Sequence, residues 1–166
     1  FPDYFEPLLT LSHIAAATNK IRLGIAVLIL IWRDPVLAAK QMATLDVFSG
    51  GRFMLGVGLG ARSEFEAINP RGSKSHRGRM LDEHMEALHL LLNSEGKVSF
   101  KGEYYEFQDV ELNHKPIQKP LPIYISVHTQ DTPARIARYA SGVSVGVTSL
   151  SASGESVRHA MESLAA

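Results

Sequence analysis

The 166-residue chain has the length of one domain, or of a part of a larger one. Its hydrophobic content of 45% and charged content of 20% are typical of a folded globular protein and argue against disorder. Seventeen basic residues balance seventeen acidic ones without forming a basic stripe, so charge supports neither a nucleic acid nor an anionic membrane as a partner.

The first predicted elements are a helix and a strand. Pro7 stands at a favourable first helical position, and Asn19 stands where a left-handed residue would end the helix. The apolar face of this helix consists of residues at helical spacing: Leu8, Leu11, Ile14 and Ala15. Residues 21–30 are then almost all apolar, which predicts a strand buried on both faces, as in a parallel sheet covered by helices.

A second helix and a second strand follow. Asp34 and Pro35 supply a cap and a first-turn proline for a helix that we expect to end at Gly50–Gly51. The stretch "RFMLGVGLG" (52–60) predicts the next strand. Because helices and strands alternate with short connections, the pattern predicts an α/β protein with right-handed crossovers.

Polar residues follow this strand and interrupt the alternation. Residues 61–79 predict a surface excursion at its carboxyl end. Residues 80–93 predict an amphipathic helix, whose buried side holds Leu81, Met85, Leu88 and Leu92. Alternating runs around Lys101–Gly102 predict a hairpin or a pair of extended segments, within an insertion at about 96–120.

The last predicted elements again alternate strand and helix. Residues 123–129 predict a strand, and Thr132–Pro133 begin another helix. Residues 143–149 predict one more strand, and residues 154–166 predict a terminal helix. The whole pattern amounts to four core strands and about five helices.

Several reactive side chains and motifs are missing from the sequence. It has no cysteine, which removes disulfides and thiolate chemistry and fits a cytoplasmic protein. The longest apolar run, 25–32, is too short to cross a bilayer, and we expect no signal peptide. No H-E-x-x-H or G-x-S-x-G motif occurs, so we expect neither a metal site nor a serine nucleophile. Three histidines lie in predicted helices, where a solvated or satisfied structural role is expected: His13, His84 and His89.

A glycine motif allows two interpretations. Gly56, Gly58 and Ala61 form G-x-G-x-x-A, which occurs in dinucleotide-binding turns. Such a turn follows the first strand and needs an acidic residue at a strand end about twenty positions on. Here another strand precedes it, and Asp82 and Glu83 lie in a predicted helix. The alternative is a strand whose glycines share one face, where they either allow close packing between strand and helix or leave room for a flat ligand.

Further sequence blocks occur in a fixed order from about Glu6 to about Gly142: "AAATNKIRLGIAVLIL", "RDPVLAAKQMATLDVFSGGRFMLGVGLG", "RGRMLDEHMEAL", "VSFKGEYYEFQDVEL" and "KPIQKPLPIYIS". In this order they resemble the bacterial-luciferase-like family of flavin or deazaflavin oxidoreductases. Within that family, "RDPVLAAKQMATLDVFSGGR" and "FKGEYYEF" are most similar to the F-420-dependent subgroup.

The resemblance implies a (β/α)8 TIM-barrel type of α/β fold with the cofactor across the carboxyl ends of the strands. About four to five βα units are present, so residues 1–166 are expected to form a single incomplete barrel domain without the N- and C-terminal strands. The implied activity is hydride transfer between coenzyme F-420 or FMN and a small organic substrate, or oxygen activation on reduced FMN. The alternative is a non-catalytic truncated or reduced barrel that acts as a binding or dimerisation module.

The resemblance also assigns cofactor-binding residues. Ala26 and Val27 match the pair joined by a non-prolyl cis peptide behind the flavin or deazaflavin ring, and Gly56 and Gly58 would lie beside that ring. The positions that match hydroxyls holding the cofactor phosphate are Thr129 and Thr132, the latter also a plausible N-cap.

Other positions are left open or depart from the family. Leu59 departs from the arginine that reaches the phosphate in some flavin-binding members. Arg77 and Arg79 suit either an anionic cofactor tail or a solvated helix start. No catalytic acid or base is assigned, because it would lie on the missing early strands. The family commonly dimerises through barrel helices, so a homodimer is one expectation.

Overall fold

A computed structural model describes residues 5–68, 76–126 and 132–144; at Thr132 and Pro133 it describes the backbone alone. The helices are α1 (Pro7–Ala17), α2 (Pro35–Ser49), α3 (Arg62–Ile68), α4 (Arg77–Asn93) and α5 (Thr132–Tyr139), with a 3-10 turn, η1 (Leu30–Trp32). The strands are β1 (Leu23–Ile29), β2 (Phe53–Gly58), β3 (Lys97–Lys101), β4 (Glu106–Glu111), β5 (Ile123–Ser126) and β6 (Gly142–Ser144).

The strands form two sheets. β1, β2, β5 and β6 lie side by side in that order, and each neighbouring pair is parallel. β3 and β4 form a separate antiparallel hairpin that turns after Lys101, where the alternating sequence predicts it. The parallel sheet with helical connections confirms the predicted α/β class. The predicted terminal helix over 154–166 lies outside the described residues.

The residues at the two ends of α2 predict correctly where this helix begins and ends. The Asp34 carboxylate accepts hydrogen bonds from the backbone N–H groups of Val36 and Leu37, both at 2.9 Å, directly before Pro35. Gly50 ends the helix with a φ of 66°, a conformation that glycine adopts without a steric penalty. These three signals act within a few residues, which is why the sequence alone predicts them.

The predicted stop of α1 at Asn19 is wrong. α1 ends at Ala17, and Thr18 is extended. The Arg52 guanidinium, which follows α2, donates to the carbonyl oxygens of Ala15 at 3.0 Å and Thr18 at 2.8 Å. Because a side chain distant in sequence satisfies these terminal carbonyls, the helix needs no left-handed residue to do so.

The core lies between the parallel sheet and the helices. All four α4 residues predicted to be buried are buried, with exposed fractions of 6% or less: Leu81, Met85, Leu88 and Leu92. The excursion after β2 differs from its prediction, because it begins with the short helix α3, whose Phe65 is 1% exposed. The sequence prediction treated this stretch as polar, although Phe65 and Ile68 stand three residues apart, a spacing found on one face of a helix.

β1 is not buried on both faces, contrary to the sequence prediction. Leu23 and Leu28 are buried, whereas Gly24 and Ala26 are exposed on the face turned away from the helices. An unbroken apolar run predicts burial only where both faces of the sheet are covered. Among the described residues, the helices cover one face of β1.

A bulge in β1 explains the two glycines of β2. Ile25 pairs with Leu55 and Leu28 pairs with Val57, so two residues of β1 lie opposite Gly56 alone. A Cβ atom at Gly56 would overlap the carbonyl oxygen of Ile25 and lie 3.1 Å from its carbonyl carbon. The space that this glycine leaves is therefore occupied by the backbone of β1.

Gly58 makes room for β1 in the same way. A Cβ atom at this position would overlap Cγ2 of Val27 and lie 3.2 Å from its Cβ. The sequence interpretations invoked strand–helix packing or space for a ligand at these glycines. The structure shows close packing between two neighbouring strands at both positions, which neither interpretation named.

We predict that Gly56→Ala destabilises the protein by about 2–3 kcal/mol, because the new methyl group meets backbone that has no room to move. Gly24→Ala is the matched control, since its Cβ would lie an ordinary 3.5 Å from the Met54 side chain. Urea unfolding followed by circular dichroism measures both variants. Equal midpoints for the two variants would contradict the steric explanation.

Candidate functional site

An open cavity of about 450 Å³ lies on the exposed face of the parallel sheet. Its lining comes from four strands: Gly24, Ile25, Ala26, Met54, Gly56, Tyr124, Val143 and Ser144. No charged side chain belongs to this lining, and the two hydroxyl groups are those of Tyr124 and Ser144. A cavity of this kind favours an uncharged, largely apolar group.

Two of the residues assigned to the cofactor line this cavity, Ala26 and Gly56. The peptide bond between Ala26 and Val27 is cis, as the family resemblance implied. It lies within the β1 bulge, opposite Gly56. Val27 and Gly58 do not line the cavity but pack against each other at its edge.

Tyr124 is a cavity residue that the sequence analysis missed. It pairs with Gly56 of β2 and with Gly142 of β6. A Cβ atom at Gly142 would lie 2.7 Å from the Tyr124 ring, so the absence of a side chain there lets the ring cover β6. The available signal was alternation, because Ile123 and Ile125 are buried and place Tyr124 on the opposite face.

Arg77 organises the carboxyl end of β2. Its Nη1 donates to the carbonyl oxygens of Leu59 at 3.3 Å and Gly60 at 2.8 Å, and its buried Nε has no hydrogen-bond partner. Burial, followed by the positive charge of Arg62, lowers the pKa of Arg77. Arg79 differs, because it is 63% exposed and pairs with Glu103 at 3.5 Å. A half-buried guanidinium thus lies at the strand end where ligands of parallel sheets bind.

The first turn of α5 is fixed beside the start of α4. Arg135 is 4% exposed, and its Nε donates to the Asp82 carboxylate at 2.6 Å. Its Nη2 donates to the carbonyl oxygen of Gly78 at 3.3 Å, next to Arg77 in the chain. α5 begins at Thr132, as predicted. Thr129, the other residue assigned to the phosphate, lies outside the described residues.

The histidines have different surroundings. His13 and His89 are exposed, but His84 is fully buried and neither of its ring nitrogens makes a hydrogen bond. His84 is therefore a core histidine and not a solvated one, and burial lowers its pKa to about 4. The described residues contain no cluster of three or more side chains able to hold a metal ion.

The structure is thus that of an α/β protein with an uncharged cavity on the exposed face of its parallel sheet. A profile of the luciferase-like monooxygenase family matches residues 1–166. The chain belongs to this family. None of the described helices has the length and apolar character needed to cross a membrane.

Two relatives illustrate the range of the family. The FMNH2-dependent dimethylsulfone monooxygenase of Pseudomonas putida is 40% identical over 116 residues, which are 68% of this chain and 31% of that protein. The F420-dependent glucose-6-phosphate dehydrogenase of Amycolatopsis mediterranei is 33% identical over 116 residues, 68% of this chain and 34% of that one. The chain therefore spans about a third of the length of these two relatives.

The solved structure of an F420-dependent secondary alcohol dehydrogenase with an F420-acetone adduct has the same fold. Its TM-score with this chain is 0.81 at 20% identity, over 98% of this chain and 51% of that one. This similarity confirms the predicted fold class of a luciferase-like TIM barrel, of which this chain covers about half.

We predict that Asp82→Asn destabilises the protein by about 1–2 kcal/mol, because it leaves the buried Arg135 without a charged partner. The loss is small because solvent screens the Asp82 carboxylate, whose side chain is 48% exposed. Glu86→Gln, an exposed change one turn along α4, is the control and should leave stability unchanged. Thermal unfolding compares them, and similar losses for both would show that the ion pair does not hold α5.

Proposed function

We propose that the protein is a luciferase-like oxidoreductase that uses FMN or coenzyme F-420 to act on a small organic substrate. The observation that carries this proposal is the uncharged cavity lined by Ala26 and Gly56, in a chain that belongs to the family. Relatives that depend on FMNH2 and on F420 support both cofactors. In the proposed protein, residues 1–166 form a single incomplete barrel domain.

The cavity suits the ring system of such a cofactor. A flat, uncharged ring would bury apolar surface against Ala26 and Met54. It would not bury a charged side chain without a partner, because the cavity lining contains none. Val27 and Gly58 pack together beside the cavity, where β1 and β2 approach each other closely. The hydroxyls of Tyr124 and Ser144 are available to hydrogen-bond polar atoms on the ring edge.

The cofactor phosphate has a separate place at the carboxyl ends of β2 and β5. The Arg77 guanidinium is anchored there through one nitrogen, and its buried Nε has an unused donor. α5 begins nearby, because Arg135 in its first turn bonds to Gly78. The free N–H groups of a helix start attract an anion, which supports the roles proposed for Thr132 and, in the preceding segment, Thr129.

These contacts suggest separate roles for the cofactor and for the protein chain. When bound, the flavin or deazaflavin supplies the redox chemistry of hydride transfer or of oxygen activation. The chain binds and orients it: the cavity residues exclude water from one face of the ring, and Arg77 neutralises the charged tail. No described side chain is assigned as a catalytic acid or base.

The proposed partners are a small organic substrate and a second copy of the chain. Exposed apolar side chains on α1 and α2 support dimerisation through helices, with Leu9 72%, Leu37 53% and Phe48 71% exposed. The balanced charge supports no contact with nucleic acid or membranes, and the absence of cysteine supports a cytoplasmic location.

We predict that Arg77→Met weakens FMN binding about 10- to 100-fold, because it removes a charge-assisted hydrogen bond to phosphate. Riboflavin, which has the same ring without the phosphate, should bind the wild type and the variant equally. Arg79→Met is the control, since Arg79 is exposed and paired with Glu103. Quenching of flavin fluorescence measures all three proteins, and a parallel titration with F-420 compares the two cofactors.

Three results would contradict the proposal in different ways. If neither FMN nor F-420 binds the chain, the cofactor assignment is wrong for these residues. If riboflavin binds as tightly as FMN to the wild type, the phosphate site is absent. If Arg77→Met weakens riboflavin as much as FMN, Arg77 acts only by holding Leu59 and Gly60 in place.

A further inference from the structure

Buried polar side chains meet where η1, α4 and the hairpin turn come together, outside the cavity lining. His84 belongs to α4, Tyr105 to the hairpin turn and Arg33 to the segment after η1. Both ring nitrogens of His84, the Tyr105 hydroxyl and Nε of Arg33 are buried without a hydrogen-bond partner. Unpaired buried polar atoms oppose folding, so other contacts must hold these side chains in place.

Two neighbouring residues of α4 hold the hairpin turn. The Glu83 carboxylate accepts hydrogen bonds from the backbone N–H groups of Glu103 at 2.9 Å, Tyr104 at 2.8 Å and Tyr105 at 2.6 Å. The His84 ring packs edge-on against the Tyr105 ring, with 5.2 Å between the centroids and 85° between the planes. The turn is thus fastened by a carboxylate and by a neutral imidazole.

Burial lowers the pKa of His84 more than the groups around it raise that pKa. Arg33 acts on His84 through its backbone, whereas its guanidinium is paired with Glu6 at 2.6 Å. Burial dominates and lowers the pKa of His84 to about 4 from the ordinary 6.5, although the backbone at His84 and Arg33, and then the Asp34 carboxylate, act to raise it. Asp34 and Glu83 also add to the effect of burial that raises the pKa of Tyr105 to about 12, so its hydroxyl stays neutral.

We propose that His84 and Tyr105 form an acid-released latch that fastens the hairpin turn and η1 to α4. In the closed form the imidazole is neutral and packs against Tyr105. When a proton from solvent binds a ring nitrogen, the imidazolium requires hydration that the closed site does not provide. The contacts to the turn and to η1 then open, while the parallel sheet stays folded.

The direction of the pH effect follows from proton linkage. The open form binds the proton at an ordinary pKa near 6.5, and the closed form binds it only near 4. The closed form is therefore fully favoured above pH 6.5 and loses its advantage as the pH falls from 6.5 to 4. Across this window, the equilibrium constant for opening should rise by up to about 300-fold.

The chain contains its own reporter of this opening. Trp32 is its one tryptophan and lies in η1, which contacts α4. We predict that Trp32 fluorescence changes between pH 6.5 and pH 4, at a higher pH than the loss of helical circular dichroism. His84→Phe keeps an aromatic ring without a titrating group and should abolish this early change.

Controls separate the latch from general acid unfolding. His89→Phe removes an exposed histidine of the same helix and should leave the early fluorescence change intact. If His84→Phe does not fold, His84→Gln serves as the second non-titrating variant. The latch is disproved if a folded His84 variant keeps the early change, or if fluorescence and circular dichroism change at the same pH in the wild type.

Discussion

The close approach of β1 to β2 is the constraint on which the exposed face of the sheet depends. Two residues of β1 lie opposite Gly56, and the strand enters space that side chains at Gly56 and Gly58 would fill. Ala26 thereby faces the cavity, while Val27 packs at its edge. The shape of the proposed cofactor site thus depends on close packing between two strands, in which Gly56 both contacts β1 and lines the cavity.

α4 connects this face to its surroundings through its first two turns. Arg77 bonds to the carbonyl oxygens at the end of β2, Asp82 holds Arg135 of α5, and Glu83 holds the hairpin turn. The buried face of the same helix packs in the core. One amphipathic helix therefore positions three connections at the carboxyl side of the sheet, which explains why charged residues lie close together at its start.

Sequence reasoning succeeded where a structure depends on near neighbours. The Asp34 cap, the left-handed Gly50 and the buried side of α4 follow from spacing within one or a few turns. It failed where a distant residue intervenes, as when Arg52 satisfies the end of α1. The buried His84 is a similar case, because its helical position indicates a face but not what covers that face.

Residues 50–60, the glycine-rich stretch, show what the sequence can predict and what depends on tertiary structure. By itself, the sequence determined that the stretch is a strand, since Gly50–Gly51 end a helix before it and no nucleotide-binding context follows. Through its family resemblance, it also indicated the cis peptide at Ala26–Val27. Only the tertiary structure decided what the glycines face. The pairing of β1 with β2 joins segments about thirty residues apart, and local propensity carries no information about such a register.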